Sequence, residues 1–385
     1  MEMKTHSTNL LIVIALIFLA RQVTAEERPR VEEDGTIHVP AFDLPESAFL
    51  SDDSRTARRY FRKVYGPELG SFARDCPNVM SGENDPESKQ VIRQCIADAY
   101  YKTNIYKDVT AKHDVAIDVA TIGGVYTEVF TPRNGIAAKN RDRVLISIHG
   151  GGYVAGARYF SHTESIPVAD MGAIKVFSPD YRMAPEFTHP AGIEDVVAVY
   201  RELLKTYQSQ NIGIYGCSAG AMLTAQTISY IHANKLPMPG AVGLFCAAAP
   251  MMADGAPGSF KSNRGESAYV SAGLSGYNRA ARDDQPRSPS PYFPEVAQDD
   301  PIVAPGDHDY VLSAFPPTLL ISGTRDFLLS DVLATHAKLS RLGIETDLHV
   351  IEAMGHATFA FNPRDPMSDN VHNVIVRFFD KHLGH

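Results

Sequence analysis

Tryptophan is absent from the 385-residue chain, which removes the side chain best suited to stacking on sugar rings, although 17 tyrosines could substitute. Positive charge is also short. Lys and Arg number 36 against 45 Asp and Glu, a formal net charge of −9, and no basic cluster is present for a phosphate backbone to meet. No nucleic-acid partner is expected. The apolar run near the N-terminus, Leu10 to Ala20 ("LLIVIALIFLA"), holds eleven residues, too few to cross a bilayer. Lys4 precedes it, and Val23 and Ala25 fit the small-residue rule for cleavage. Residues 1–25 are therefore expected to be a signal peptide, with an uncleaved N-terminal anchor as the alternative. No cysteine stands at the junction, which disfavours lipid attachment. The expected localisation is secreted or periplasmic, without stable membrane insertion after cleavage.

Cysteine is scarce as well, at four residues. Cys76 and Cys95 lie in a polar N-terminal region, whereas Cys217 and Cys246 fall in segments that read as core. Export permits disulfides, so a Cys76 to Cys95 bridge is expected, with four reduced thiols as the alternative. The spacings do not resemble a zinc site, and no metal or cofactor is expected. What remains is ordinary globular composition, 44% hydrophobic and 21% charged, with enough length for one large domain or two smaller ones.

From residue 26 to 105 the chain is polar, with helical runs such as "SRTARRYFRKVYG" and "ESKQVIRQCIADAYYKTNIY" between breaks. A different rhythm follows. "VAIDVAT" and "VYTEVFTP" alternate like a hairpin. Short apolar strand candidates then recur at 143–149, 173–179, 211–216, 241–247, 317–323 and 346–352. Helical stretches lie near 190–207, 219–234, 330–342 and 368–383. Doubly apolar strands alternating with helices predict a mostly parallel sheet covered on both faces, with its ligand crevice beyond the carboxyl ends of the strands. Residues 251–312, rich in Gly, Pro and Ser, are too long for a connection and are expected to be an insertion over that crevice. The expected organisation is a leader over 1–25, an N-terminal cap region over 26–105, and a catalytic domain over 106–385.

The strongest chemical signal is "IYGCSAGAML". Gly216, Ser218 and Gly220 form G-x-S-x-G between a strand and a helix, the context of a nucleophile elbow. A serine hydroxyl needs a base and an acid that orients the base. Among later histidines, His232 and His336 sit in helical runs and His349 in a strand, but His356 in "EAMGHATF" lies just past the last strand. For the acid, Asp326 is the first carboxylate beyond "LLISGTR". Asp331, beside Ser330 at a helix start, reads more simply as a capping or dipole residue, and Glu352 is the other competitor. Asp307, His308 and Asp309 read as a solvated loop, since three adjacent residues cannot all face one ion. "HGGG", His149 to Gly152, follows the strand expected beside the nucleophile strand. Its Gly151 and Gly152 N–H groups, with that of Ala219, are the expected oxyanion donors, and His149 is expected to brace the loop.

"HGGGY", "DYRMAPE", "HPAGIEDV", "GCSAG", "GTRDFLLSD" and "GHATF" together resemble the hormone-sensitive-lipase-like branch of the α/β-hydrolases, the bacterial family IV esterases, over roughly 110–385. The resemblance implies a capped α/β-hydrolase fold cleaving short- to medium-chain carboxylic esters through an acyl-enzyme without a cofactor. It also implies Ser218, Asp326 and His356 as the triad. Cys217 stands where the family usually has Asp, and Ala221 where it usually has Gly. In "DYRMAPE", Asp180, Arg182 and Glu186 are expected to fix a loop by ion pairing. The expected partner is a small-molecule ester, with a homodimer left open as the assembly. A lactonase or amidase on the same triad is the nearest alternative. A ligand-binding protein on a hydrolase scaffold is the more distant one, disfavoured by His356 and the complete elbow.

Overall fold

A computed structural model describes residues 29–40, 42–252, 260, 261, 265–267, 290–294, 296, 297 and 299–384. The expected leader lies outside these residues, as does much of the expected 251–312 insertion. The chain divides into two compact units, Met1–Ala48 and Phe49–His385. In the first, β1 (Arg30–Val31) and β2 (Ile37–His38) pair antiparallel around a turn in which Asp34 accepts from the Thr36 N–H.

The second unit begins with helices α1 (Asp52–Tyr60), α2 (Gly66–Asp75), α3 (Pro86–Tyr100) and α4 (Asn104–Lys112). Ser51, Asp85 and Thr103 cap α1, α3 and α4 through side-chain oxygens on first-turn N–H groups, as their polar types predict. Then come β3 (Val115–Ile122), β4 (Val125–Pro132), β5 (Val144–Ile148), α5 (Phe160–Gly172), β6 (Lys175–Pro179), α6 (Ala191–Leu203), β7 (Ile212–Cys217), α7 (Ala219–Ala233) and β8 (Ala241–Phe245). The chain closes with β9 (Thr318–Arg325), α8 (Leu329–Arg341), β10 (Thr346–Gly355) and α9 (Pro366–His382).

Strands β3 to β10 form one sheet in the order β10-β9-β8-β7-β5-β6-β4-β3. From β10 to β6 all neighbours run parallel, and the β3–β4 hairpin joins β6 antiparallel. This is the α/β-hydrolase fold, with a mostly parallel sheet of eight strands flanked by helices. Strands β5, β7 and β8 are buried along their whole length, which explains their continuous apolar sequences. Alternate residues serve opposite layers. Val144, Ile146 and Ile148 join the core with α6, α7 and α8, whereas Leu145 joins the one with α5 and α9.

Helix α5 has no counterpart among the helices expected from sequence. Ser161 through Ala169 are all buried, polar and apolar alike, and Pro167 lies inside the helix. An element covered on every side shows no amphipathic stripe for sequence reading to find. β10 also extends past the expected boundary at 352, through a register shift against β9 between Ile351 and Gly355.

Candidate active site

Ser218 sits between the end of β7 and the start of α7 with φ 59° and ψ −125°. A non-glycine residue rarely adopts such a backbone, and holding it costs roughly 1–3 kcal/mol that the surrounding packing must offset. The crowding explains both flanking glycines. A Cβ on Gly216 would lie 2.4 Å from the Gly220 carbonyl, and one on Gly220 would lie 1.9 Å from the Ile148 oxygen. The Ser218 N–H donates to Phe245 O at 2.8 Å, tying the turn to β8.

His356 follows the β10 irregularity, where Ala353 has φ 56° and donates its N–H to Thr324 Oγ1. Its Nε2 lies 2.8 Å from Ser218 Oγ, and its Nδ1 lies 2.8 Å from Asp326 Oδ1. A carboxylate can only accept, so Nδ1 carries the proton and Nε2 is left to accept from the serine hydroxyl. Asp326 directly follows β9 and is fully buried. It also accepts from the Leu328 N–H at 3.0 Å and from Ser322 Oγ at 3.1 Å. The Phe327 ring lies against the imidazole at 4.3 Å between centroids.

The competing acids point elsewhere. Asp331, expected in a capping or dipole role, does stand in the first turn of α8, but its side chain reaches across to accept from the Ala248 N–H at 3.3 Å, and burial pushes its carboxyl up to about 7. Glu352 is exposed on β10. Asp307 accepts from the Met252 N–H, while Asp309 pairs with Arg341.

The glycine loop expected to supply the oxyanion donors leaves β5 beside Ser218. A Cβ on Gly150 would lie 3.3 Å from Ser218 Cβ, so the loop backbone passes in contact with the serine. Gly151 has φ 117°, and a Cβ there would lie 1.9 Å from Ala155 O; Gly152 has φ 64° with open space where its Cβ would stand. His149 is wholly buried, bonded through Nδ1 to Gly150 O and stacked on Tyr181 at 4.4 Å. Burial pushes its pKa down to about 4, so it is a neutral brace at working pH. Ala219 opens α7, whose N-terminal dipole favours negative charge at the same point.

Sequence reasoning missed two residues that hold this loop. Arg93, from α3, donates Nε to Val154 O at 3.0 Å and Nη2 to Ala184 O, and pairs with Glu186, both side chains buried. Its signal was present: Lys89, Arg93, Ile96, Ala97 and Tyr100 share the buried stripe of α3, so two charges lie on an apolar face. Glu164, in the unexpected α5, accepts from the Gly150 N–H at 3.2 Å. The other "DYRMAPE" charges are also paired, Asp180 with Arg158 and Arg182 with Glu194 and Asp195. Cys76 and Cys95 form a disulfide, placing a covalent link two residues from Arg93, and Cys217 and Cys246 are buried free thiols.

Comparison with known proteins agrees with this architecture. A family described as alpha/beta hydrolase fold matches residues 145–360, a span holding the oxyanion loop, the elbow, Asp326 and His356. An acetyl-hydrolase of Streptomyces hygroscopicus is 26% identical over 268 residues, 69% of this chain and 83% of that protein. Among solved structures, that of an esterase, E25, superposes with a TM-score of 0.70 at 26% identity, covering 90% of this chain and 98% of the other. An esterase from the bacterial hormone-sensitive lipase family, at 24% identity and a TM-score of 0.62, covers 83% of this chain and 99% of its own and shares the fold. With the family match spanning more than half of its length, the chain belongs to the α/β hydrolase fold family.

Proposed function

We infer that the protein is a serine carboxylesterase that hydrolyses short- to medium-chain carboxylic esters through an acyl-enzyme. His356 Nε2 takes the Ser218 proton as Oγ attacks the ester carbonyl, and the N–H groups of Gly151, Gly152 and Ala219 receive the resulting oxyanion. Collapse of the intermediate expels the alkoxide, which takes the proton back from His356. Water then repeats the sequence to release the acid. Asp326 holds the imidazole tautomer and stabilises its cation.

The observation that carries this reading is the continuous chain from Asp326 through His356 to Ser218, with both links at 2.8 Å. The kinship with an acetyl-hydrolase and with esterase E25 supports ester carbonyls as the substrate class. Tyr292 and Phe293 pack on Tyr153, the residue after the glycines, which supports these two rings as part of the wall behind the loop. A disulfide suits an oxidising compartment, in favour of export.

Ser218→Ala should lower turnover of p-nitrophenyl acetate by about 10⁵-fold or more with the fold intact. Retained turnover, or failure of a fluorophosphonate to label Ser218 in the unaltered protein, refutes the reading. A panel of p-nitrophenyl esters of increasing chain length then sets the acyl range.

A further inference from the structure

Helix α5 brings one carboxyl up behind the oxyanion loop. Glu164 is buried, and its Oε1 accepts the Gly150 N–H at 3.2 Å. A Cβ on Gly150 would lie 3.3 Å from that same oxygen and 3.3 Å from Ser218 Cβ, so the carboxyl, Gly150 and the nucleophile stand in consecutive contact. The helix itself is pinned to β7, where the Tyr215 hydroxyl donates to the Glu164 carbonyl at 3.0 Å. The second carboxyl oxygen, Oε2, is buried without a hydrogen-bond partner among the described residues. Considered by itself, a buried carboxyl with one bond is costlier than a packed apolar side chain. An apolar side chain would, however, leave the Gly150 N–H without its acceptor.

We propose that Glu164 is a positioning residue for ester hydrolysis, fixing the Gly150 peptide and through it the oxyanion donors at Gly151 and Gly152. The proposal rests on the hydrolase reading above. Burial raises the Glu164 carboxyl well above the usual carboxylate range. The groups that face it are Tyr100 from α3, Tyr181 after β6, and Tyr215 and Cys217 on β7; burial raises the pKa of the three tyrosines, and the hydrogen bond with Cys246 together with burial raises that of Cys217. None of these supplies a positive charge. The raised pKa favours the neutral form of the acid, which accepts from the loop without setting an anion behind a developing oxyanion.

Full-length Glu164→Gln and Glu164→Ala are compared with the unaltered protein for kcat and KM on p-nitrophenyl acetate from about pH 6 to about pH 10. Hydrogen exchange over residues 149–156 is followed in parallel. The amide keeps an acceptor of the same size, so Glu164→Gln should hold kcat within about threefold across this pH range. Glu164→Ala should lower kcat by roughly 10- to 100-fold with KM nearly unchanged, since the loop serves the transition state, and should speed exchange in the loop. Should the alanine variant not fold, Glu164→Asp, one methylene shorter, replaces it in both readings. Unchanged kcat and exchange in the truncated variant, or a glutamine variant as damaged as the alanine one, overturns the proposal. Turnover that survives Ser218→Ala sinks the hydrolase reading instead, and loop exchange still judges the hold of Glu164 on Gly150.

Discussion

The two walls that meet at Ser218 are built from opposite electrostatic materials. On one, a fully buried Asp326 faces the imidazole of His356 directly. On the other, His149 and Glu164 are both ionisable, yet burial drives each toward its neutral form. Where this second wall carries charge, Arg93 and Glu186 neutralise each other, and Arg93 alone reaches the backbone, donating to Val154 O in the loop and to Ala184 O beside it. The difference matches the charge separation that the proposed acyl transfer would create. An imidazolium needs an anion at its back, whereas an oxyanion needs fixed dipoles and no anion nearby.

The same chemical change should therefore have opposite consequences on the two walls. Asp326→Asn keeps shape but removes the charge and the tautomer control, and kcat should fall by about 10³- to 10⁴-fold. Steady-state kinetics beside Glu164→Gln tests the contrast. Equal losses in the two amide variants would mean that the walls do not differ in the way their burial and charge imply.

Within the oxyanion wall the glycines separate next. An alanine at Gly151 must move the Ala155 carbonyl, 1.9 Å from the new Cβ, and with it the turn that aims the donors. A loss on the order of 10²-fold or more in kcat is expected. Gly152→Ala meets open space and bears only its left-handed backbone, a penalty of about 1–2 kcal/mol spread between stability and rate. Its kcat should stay within roughly tenfold. Comparable damage from both substitutions would show that backbone conformation, not space, governs this loop.

How much of this was legible in the sequence follows from how local each feature is. The elbow needs only Gly216, Ser218 and Gly220 around one turn, so five consecutive letters carry it. His356 was legible because it follows the last strand, although the register shift that presents it was not, since nothing in "VIEAMG" marks where pairing with β9 slips. The choice among Asp326, Asp331 and Glu352 depends on three directions in space, which spacing along the chain does not encode. Arg93 left a trace, as a charge on the apolar stripe of α3, while Glu164 left none because α5 is covered on all sides. The residues that brace a site from behind are those whose surroundings come from distant parts of the chain.

Asp331 isolates burial from function, because it stands in the same segment as Asp326 without a histidine to serve. Its Oδ2 accepts from the Ala248 N–H, Oδ1 has no hydrogen-bond partner among the described residues, and burial pushes its pKa from 3.8 up to about 7. The raised value means that the folded state holds this proton more tightly than the unfolded chain. Its contribution to stability is complete below about pH 4 and is lost as pH rises through about 7. Asp331→Asn keeps an acceptor for Ala248 and does not titrate. At pH 8 the variant should therefore melt a few degrees above the unaltered protein, and the gap should narrow by pH 5 and close toward pH 4. A variant that melts lower by the same margin at both ends of that range would mean that the Asp331 carboxylate is charged and well solvated where it stands. Burial would then be too weak a force in this segment to keep a carboxyl neutral, and the neutrality assigned to Glu164 on the opposite wall would lose its physical basis.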